Sequence, residues 1–184
     1  MKKIIEDNKI TQIMILVLVI LEQAIKIIVK DYHGVKAPII ENILYFEPIL
    51  NDNYSYINSL FNLGWSKTFH IIMVILVLFF SYYVFKYLEA KNIKNSMINI
   101  LKVFLFAGVI CSLLDKIFWN GSLDYISLKG FFVFDLKDCY LTIFEILAIM
   151  LVIKNWKEIS KANDIDYLKD YIGFIKNDFL SRRK

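Results

Sequence analysis

Three aspartates, Asp124, Asp135 and Asp138, fall within the stretch WNGSLDYISLKGFFVFDLKD, Trp119 to Asp138, which separates two long apolar runs. Two carboxylates held close together cannot both ionise easily, because like charges repel and burial disfavours charge. One keeps a proton while the other takes a proton from water. The water attacks a peptide carbonyl, and the protonated acid polarises that carbonyl and later helps the amine leave. Such chemistry needs neither metal nor histidine. The same acids also have a structural use. Asp135 can cap a helix whose third residue is Asp138, where both would meet unpaired backbone amides and the positive end of the helix dipole. The pattern alone leaves both uses open.

Other chemistries have weaker support. His33 and His70 are isolated, and no HExxH or carboxylate–histidine cluster offers a catalytic zinc enough ligands. No serine has an evident histidine base. Cys111 and Cys139 fall in different apolar runs without a CxxC spacing, so they are expected to be packing residues. No metal and no cofactor is expected.

The elements that must position these acids are apolar. The 184 residues are 58% hydrophobic and 16% aromatic, with mean hydropathy +0.52, above the usual share for a soluble domain. Four runs, Thr11 to Val29, Phe69 to Leu88, Ser96 to Phe118 and Phe132 to Ile153, each approach the ~20 residues that a helix needs to cross hydrocarbon. Backbone groups find no water there, so the runs read as four helices. A cleavable signal peptide is the lesser reading of the first, because no small-x-small site follows closely. Lys2, Lys3 and Lys9 precede the first run, Lys86, Lys91 and Lys94 lie at the second connection, and Lys154, Lys157 and Lys161 follow the fourth. That distribution places both termini in the cytoplasm. The net charge of +4 is spread over these flanks and reads as topology, with no nucleic-acid partner.

The first connection, residues 30–67, mixes aromatics with turn formers, and alternation around ILYF and in YSYI suggests short strands. Its aromatics suit either an interfacial belt or a substrate-facing platform. In the polar tail, residues 154–184, Leu168, Tyr171, Ile172, Ile175 and Phe179 recur at helical spacing. This predicts an amphipathic helix, on the membrane surface or packed on its own protein.

Ionisable residues inside spans need a partner or a purpose. Glu22 and Lys26 lie four apart near the outer end of the first run, acid first, the favourable order for an ion pair. Asp115 and Lys116 end the third run, Asp124 follows in the next turn, and Asp138 opens the fourth. Alternating spans bring all of them to one membrane face.

In this order and spacing the residues resemble the lipoprotein signal peptidases, the signal peptidase II family. EQAIK, Glu22 to Lys26, is similar to that family's D-Q-x-x-K, with Glu for Asp. CSLLDK, Cys111 to Lys116, keeps the acid of G-N-x-x-D-R at Asp115 but has Ser112 for Asn and Lys116 for Arg. LDYI places Asp124 where the family has its first catalytic aspartate, and FDLKD keeps the Phe and final Asp of F-N-x-A-D, with Asp138 as the second. Asn51 in NDNYSY resembles the Asn of the family's outer N-x-G-A-A-F motif. Two departures adjoin the second aspartate. Asp135 stands for an Asn that would also donate hydrogen bonds, and Lys137 for a small residue, its side chain expected to diverge toward the headgroups.

The resemblance, over roughly residues 11 to 153, implies four transmembrane helices and a small extracytoplasmic β-cradle; with the tail helix read above, the expected fold is an all-α membrane protein with a cytoplasmic C-terminal helix. Two parts are expected: a membrane peptidase-like unit, residues 1–153 with its outer loop 30–67, and the tail, residues 154–184. The implied activity is that of an intramembrane aspartic endopeptidase that cuts signal peptides from diacylglyceryl-modified prolipoproteins, with Asp124 and Asp138 as the catalytic pair. Asn51, Ser112, Asp115, Lys116 and Asp135 would support substrate or site, and Glu22–Lys26 would be a structural ion pair. The setting would be a bacterial-type cytoplasmic membrane, the site on its outer side, the chain a monomer among membrane lipids. A rival reading is a non-catalytic relative that binds lipidated proteins or peptides. A transporter component would need polar residues through the full membrane depth, whereas here the acids gather on one side.

Overall fold

The computed structural model describes residues 2–91, 96–156 and 164–181. Lys94, Lys157 and Lys161, counted above among the flanking charges, lie outside them. Among the described residues, three helical segments are long and apolar enough to cross a membrane: Lys9–Tyr32, Lys67–Ala90 and Ser96–Trp119. They fall in α1 (Lys2–Val29), extended by a 3-10 turn, Lys30–Tyr32, in α3 (Lys67–Ala90), and in α4 (Ser96–Leu114), extended by a π-helical turn, Asp115–Trp119. The fourth apolar run differs from expectation. Its helix α5 (Leu136–Lys154) starts four residues late, because Asp135 adopts an extended backbone and caps it. The helix carries Lys137, Asp138 and Glu145, more charged residues than the other three hold in their most apolar stretches, and α5 is not among those three.

α4 is the central helix: 44% of its apolar window is buried, against 17% for each of the windows in α1 and α3. Ala107 and Cys111 of α4 pack with Val19 of α1 and Tyr140 of α5, while Ile98 and Leu101 pack against Phe85 of α3. The outward faces of α1 and α3 stay apolar and exposed, as at Leu16, Ile20, Ile72 and Leu76. That is the surface lipid tails would cover. α5 reaches α4 closely at Gly108, where an added Cβ would lie 2.7 Å from Leu141 Cγ and 3.3 Å from the Lys137 carbonyl. Small residues permit such approach between apolar helices.

At one end of the helices lies a four-stranded antiparallel sheet of order β1-β2-β3-β4. β1 (Ala37–Ile40) and β2 (Leu44–Asn51) come from the first connection, as ILYF suggested. β3 (Ser122–Leu128) and β4 (Val133–Phe134) come from the third, so Asp124 sits on a strand where the sequence suggested a turn. The YSYI strand is also corrected. Ser55 accepts a hydrogen bond from the Asn58 amide and caps a short helix, α2 (Tyr56–Phe61), after Tyr54 turns the chain with φ 64°. A local side-chain cap outcompetes the strand preference of the tyrosines.

The tail forms α6 (Asp164–Ser181), which packs along α3. Asp170 meets Lys91 at 2.6 Å and the Tyr87 hydroxyl at 2.7 Å, Asp178 pairs with Lys86, and the Phe179 ring stacks on Tyr83 at 6.0 Å. Of the two settings open for this helix, the structure has it packed on its own protein.

Substituting Gly108→Val should force α4 and α5 apart and cost roughly 1–3 kcal/mol of stability, as overpacking does. A lowered midpoint of thermal unfolding in detergent would register this. An unchanged midpoint would mean that the two helices are not held in contact there.

Candidate active site

Four charged side chains form a closed ring in the interior. Lys26 Nζ lies 2.6 Å from Asp115 and 2.7 Å from Asp135. Lys137 Nζ lies 2.5 Å from Asp135 and 3.3 Å from Asp115. Each lysine touches both aspartates, so the ring is electrically neutral. Its members come from three places: Lys26 from the end of α1, Asp115 from the start of the π-helical turn, and Asp135 and Lys137 from the start of α5. A π-helical turn widens the helix and re-aims side chains, here at the junction that delivers Asp115.

Local chemistry accounts for the α5 end. Asp135 Oδ1 accepts the Asp138 amide and Asp138 Oδ2 accepts the Asp135 amide, both at 3.2 Å, a reciprocal capping box. Asp135 is therefore cap and ring member at once, one oxygen serving each task. Glu22 extends the ring on the Lys26 side, at 3.2 Å, and its other oxygen accepts the Tyr125 hydroxyl at 2.9 Å.

Asp124 and Asp138 stand on the Lys137 side, outside the ring. One carboxylate oxygen from each of Asp124, Asp135 and Asp138 lies within 4.8 Å of the others. Lys137 Nζ is 3.5 Å from Asp124 Oδ1 and 3.8 Å from Asp138 Oδ1. The lysine therefore does not diverge toward the headgroups as expected. The four-carbon stem folds back and brings its ammonium in among these acids. Ser122 joins them: its Oγ is 2.6 Å from Lys137 Nζ and 2.6 Å from Asp124 Oδ1. Burial pushes the Asp124 carboxyl above its ordinary range, against the opposing pull of the Lys137 ammonium and the Ser122 hydroxyl.

A cavity of about 420 Å³ opens onto this pair. Asp124, Lys137 and Asp138 line its polar end, and Phe132, Val133 and Leu141 supply apolar wall. Asn51, opposite Ser122 in the β2–β3 register, also reaches it. Ser112 and Lys116 line it too, but Lys116 does not pair with Asp115; its Nζ donates to Ser112 Oγ at 2.9 Å. Asp138 is the more open acid, its side chain 42% exposed against 11% for Asp124.

His70 is not isolated. Its Nδ1 lies 2.9 Å from the Ser66 carbonyl, which can only accept, so Nε2 is left to accept from Ser55 Oγ at 3.1 Å. Ser55 thus has a histidine partner that its sequence spacing concealed. Its hydroxyl is also the cap of α2, which ties α2 to the start of α3.

Among solved structures, two of a bacterial membrane enzyme, determined by the in meso method at 2.3 and 1.9 Å resolution, match this fold with TM-score 0.68 and 23% identity. The first match covers 85% of this chain and 93% of that one, the second 80% and 94%. No curated protein matches the chain. A family model described as signal peptidase (SPase) II matches residues 14–154, well over half of the chain.

Lys26→Met should leave the ring with excess buried negative charge and cost about 3–5 kcal/mol. A second change, Asp115→Asn, should recover part of that loss by restoring neutrality. Thermal unfolding of both variants in detergent checks this, and an undisturbed midpoint for Lys26→Met would remove the ring from the account of stability.

Proposed function

The chain belongs to the signal peptidase II family, whose members are aspartic peptidases that process lipoproteins in bacterial membranes, and on that premise we propose that it is an endopeptidase of diacylglyceryl-modified prolipoproteins. In this reading α5 is a fourth span, about 28 Å long at 1.5 Å per residue, and residues 1–153 form the membrane unit, with the tail as a cytoplasmic appendage. Both termini lie in the cytoplasm and the sheet and cavity outside, following the lysines.

Asp124 and Asp138 are the working pair. The observation that carries this is the approach of their carboxylates at the polar end of the cavity. A water between them gives a proton to the ionised carboxylate as its oxygen bonds to the peptide carbonyl carbon. The other acid donates its proton toward the carbonyl oxygen. The C–N bond then breaks, and the amine departs with a proton returned from the pair. Asn51, Ser112 and Lys116, on the cavity wall, are placed to meet substrate. Asp115, Asp135, Glu22 and Lys26 hold the elements that carry the pair.

Lys137 favours the rival, a relative that binds lipidated proteins without cutting them, because a cation beside both acids could replace their shared proton. Distance weighs against that outcome. Asp135 at 2.5 Å and Asp115 at 3.3 Å are closer to the ammonium than either member of the pair, so most of its charge is already balanced. Two carboxylates facing a neutral ring still need a proton between them.

The purified chain in detergent should cleave a diacylglyceryl-modified prolipoprotein, and Asp124→Asn or Asp138→Asn should each lower the rate by at least about 10²-fold. A folded parent that binds such substrates but cuts none would establish the binding reading instead.

A further inference from the structure

Asp124 and Asp138 are chemically alike, yet their surroundings are not. We propose that Lys137 and Ser122 are positioning residues that break the symmetry of this pair, holding Asp124 as the carboxylate that activates water and leaving the shared proton on Asp138. The proposal rests on the reading that Asp124 and Asp138 work together.

The direction of each hydrogen bond follows from what the groups can do. An ammonium has no lone pair, so Lys137 Nζ donates to Ser122 Oγ, at 2.6 Å. Ser122 has one hydroxyl hydrogen, and its shorter acceptor is Asp124 Oδ1 at 2.6 Å, with Asp115 Oδ2 at 3.3 Å. Asp124 Oδ1 therefore receives a hydrogen bond polarised by a cation, the kind that is strongest when the acceptor is ionised. Asp138 lacks this support. Its Oδ2 accepts only the long Asp135 amide contact, at 3.2 Å, and its Oδ1 faces Lys137 at 3.8 Å, beyond hydrogen-bond reach. It is also the acid nearer the open cavity, where a carbonyl oxygen would arrive to receive a proton.

The other charges facing the pair do not reverse the bias. Lys26 and Glu22 from α1 lie on the far side of the ring, and Asp115 and Asp135 balance the two lysines within it. Lys116, at the end of α4, donates to Ser112.

Lys137 cannot be tested by itself, since its loss leaves a buried acid uncompensated. Asp135→Asn with Lys137→Met removes one charge of each sign and keeps the rest of the ring neutral. Ser122→Ala removes only the hydroxyl. Carboxyl-carbon NMR titration of ¹³C-aspartate-labelled protein in micelles, with peaks assigned through Asp124→Asn and Asp138→Asn, reads the pair without requiring cleavage. In the parent, the first of the pair's two deprotonations should appear at Asp124. In Ser122→Ala that step should move up by about one pH unit, the scale of one lost hydrogen bond to a charged group, and the acidic limb of the cleavage–pH profile should follow. The double variant should move it up by less, because losing the Asp135 charge opposes losing the Lys137 charge. A first deprotonation at Asp138, or a step unmoved in Ser122→Ala, would overturn the assignment. Failure of the parent to cleave at any pH would count against the peptidase reading alone, because the titration still reports where the proton sits.

Discussion

The rest of this structure depends on one constraint: two lysines and two aspartates buried together must neutralise one another. Taking them out of water is expensive, and their mutual attraction repays that cost only with close geometry. The lysines and aspartates meet at contacts of 2.5 to 3.3 Å. Such a ring adds little net stability over an apolar core of the same shape, but it penalises every arrangement that separates its members. α1, the end of α4 and the start of α5 are therefore held in one register. Packing at sites such as Gly108 adds to that register.

The sheet is attached to the same constraint. Along β3 the side chains alternate, so Leu123 and Tyr125 join Val29 in an apolar cluster while Ser122 and Asp124 face the charged side. Tyr125 reaches back with its hydroxyl to Glu22 and accepts the Leu136 amide at 3.3 Å, linking α1, β3 and the first turn of α5. The proposed catalytic pair thus stands on a strand and a helix start that share their anchor. Asp135 concentrates this coupling, since the residue that begins α5 also completes the ring.

Much of this was legible in the sequence. Four apolar runs, the Glu22–Lys26 spacing and the gathering of acids at one end all follow from periodicity and span direction, and Asp135 with Asp138 was readable as a capping pair. The position of the Lys137 head was not. Neighbours on a helix diverge by about 100°, which suggested a lysine turned away, but a flexible stem can bring its charge back to acids that exist only in the folded interior. SLDYISL could have been read as an alternating strand with Ser122 and Asp124 on one face; the apolar surroundings obscured it. The Ser55–His70 contact joins residues fifteen apart at the starts of two helices, a proximity that only the chain reversal after α2 creates.

The sheet has a consequence in time. β2 and β3 are neighbours in space but about 70 residues apart along the chain, and closing so long a loop is entropically costly and slow. During synthesis from the N-terminus, the β2 edge that pairs with β3 stays unpaired until the chain through α3 and α4 has been made and β3 follows. Asp138 follows later still. The acids therefore come together only after most of the chain has been made, so an unfinished molecule lacks the proposed pair.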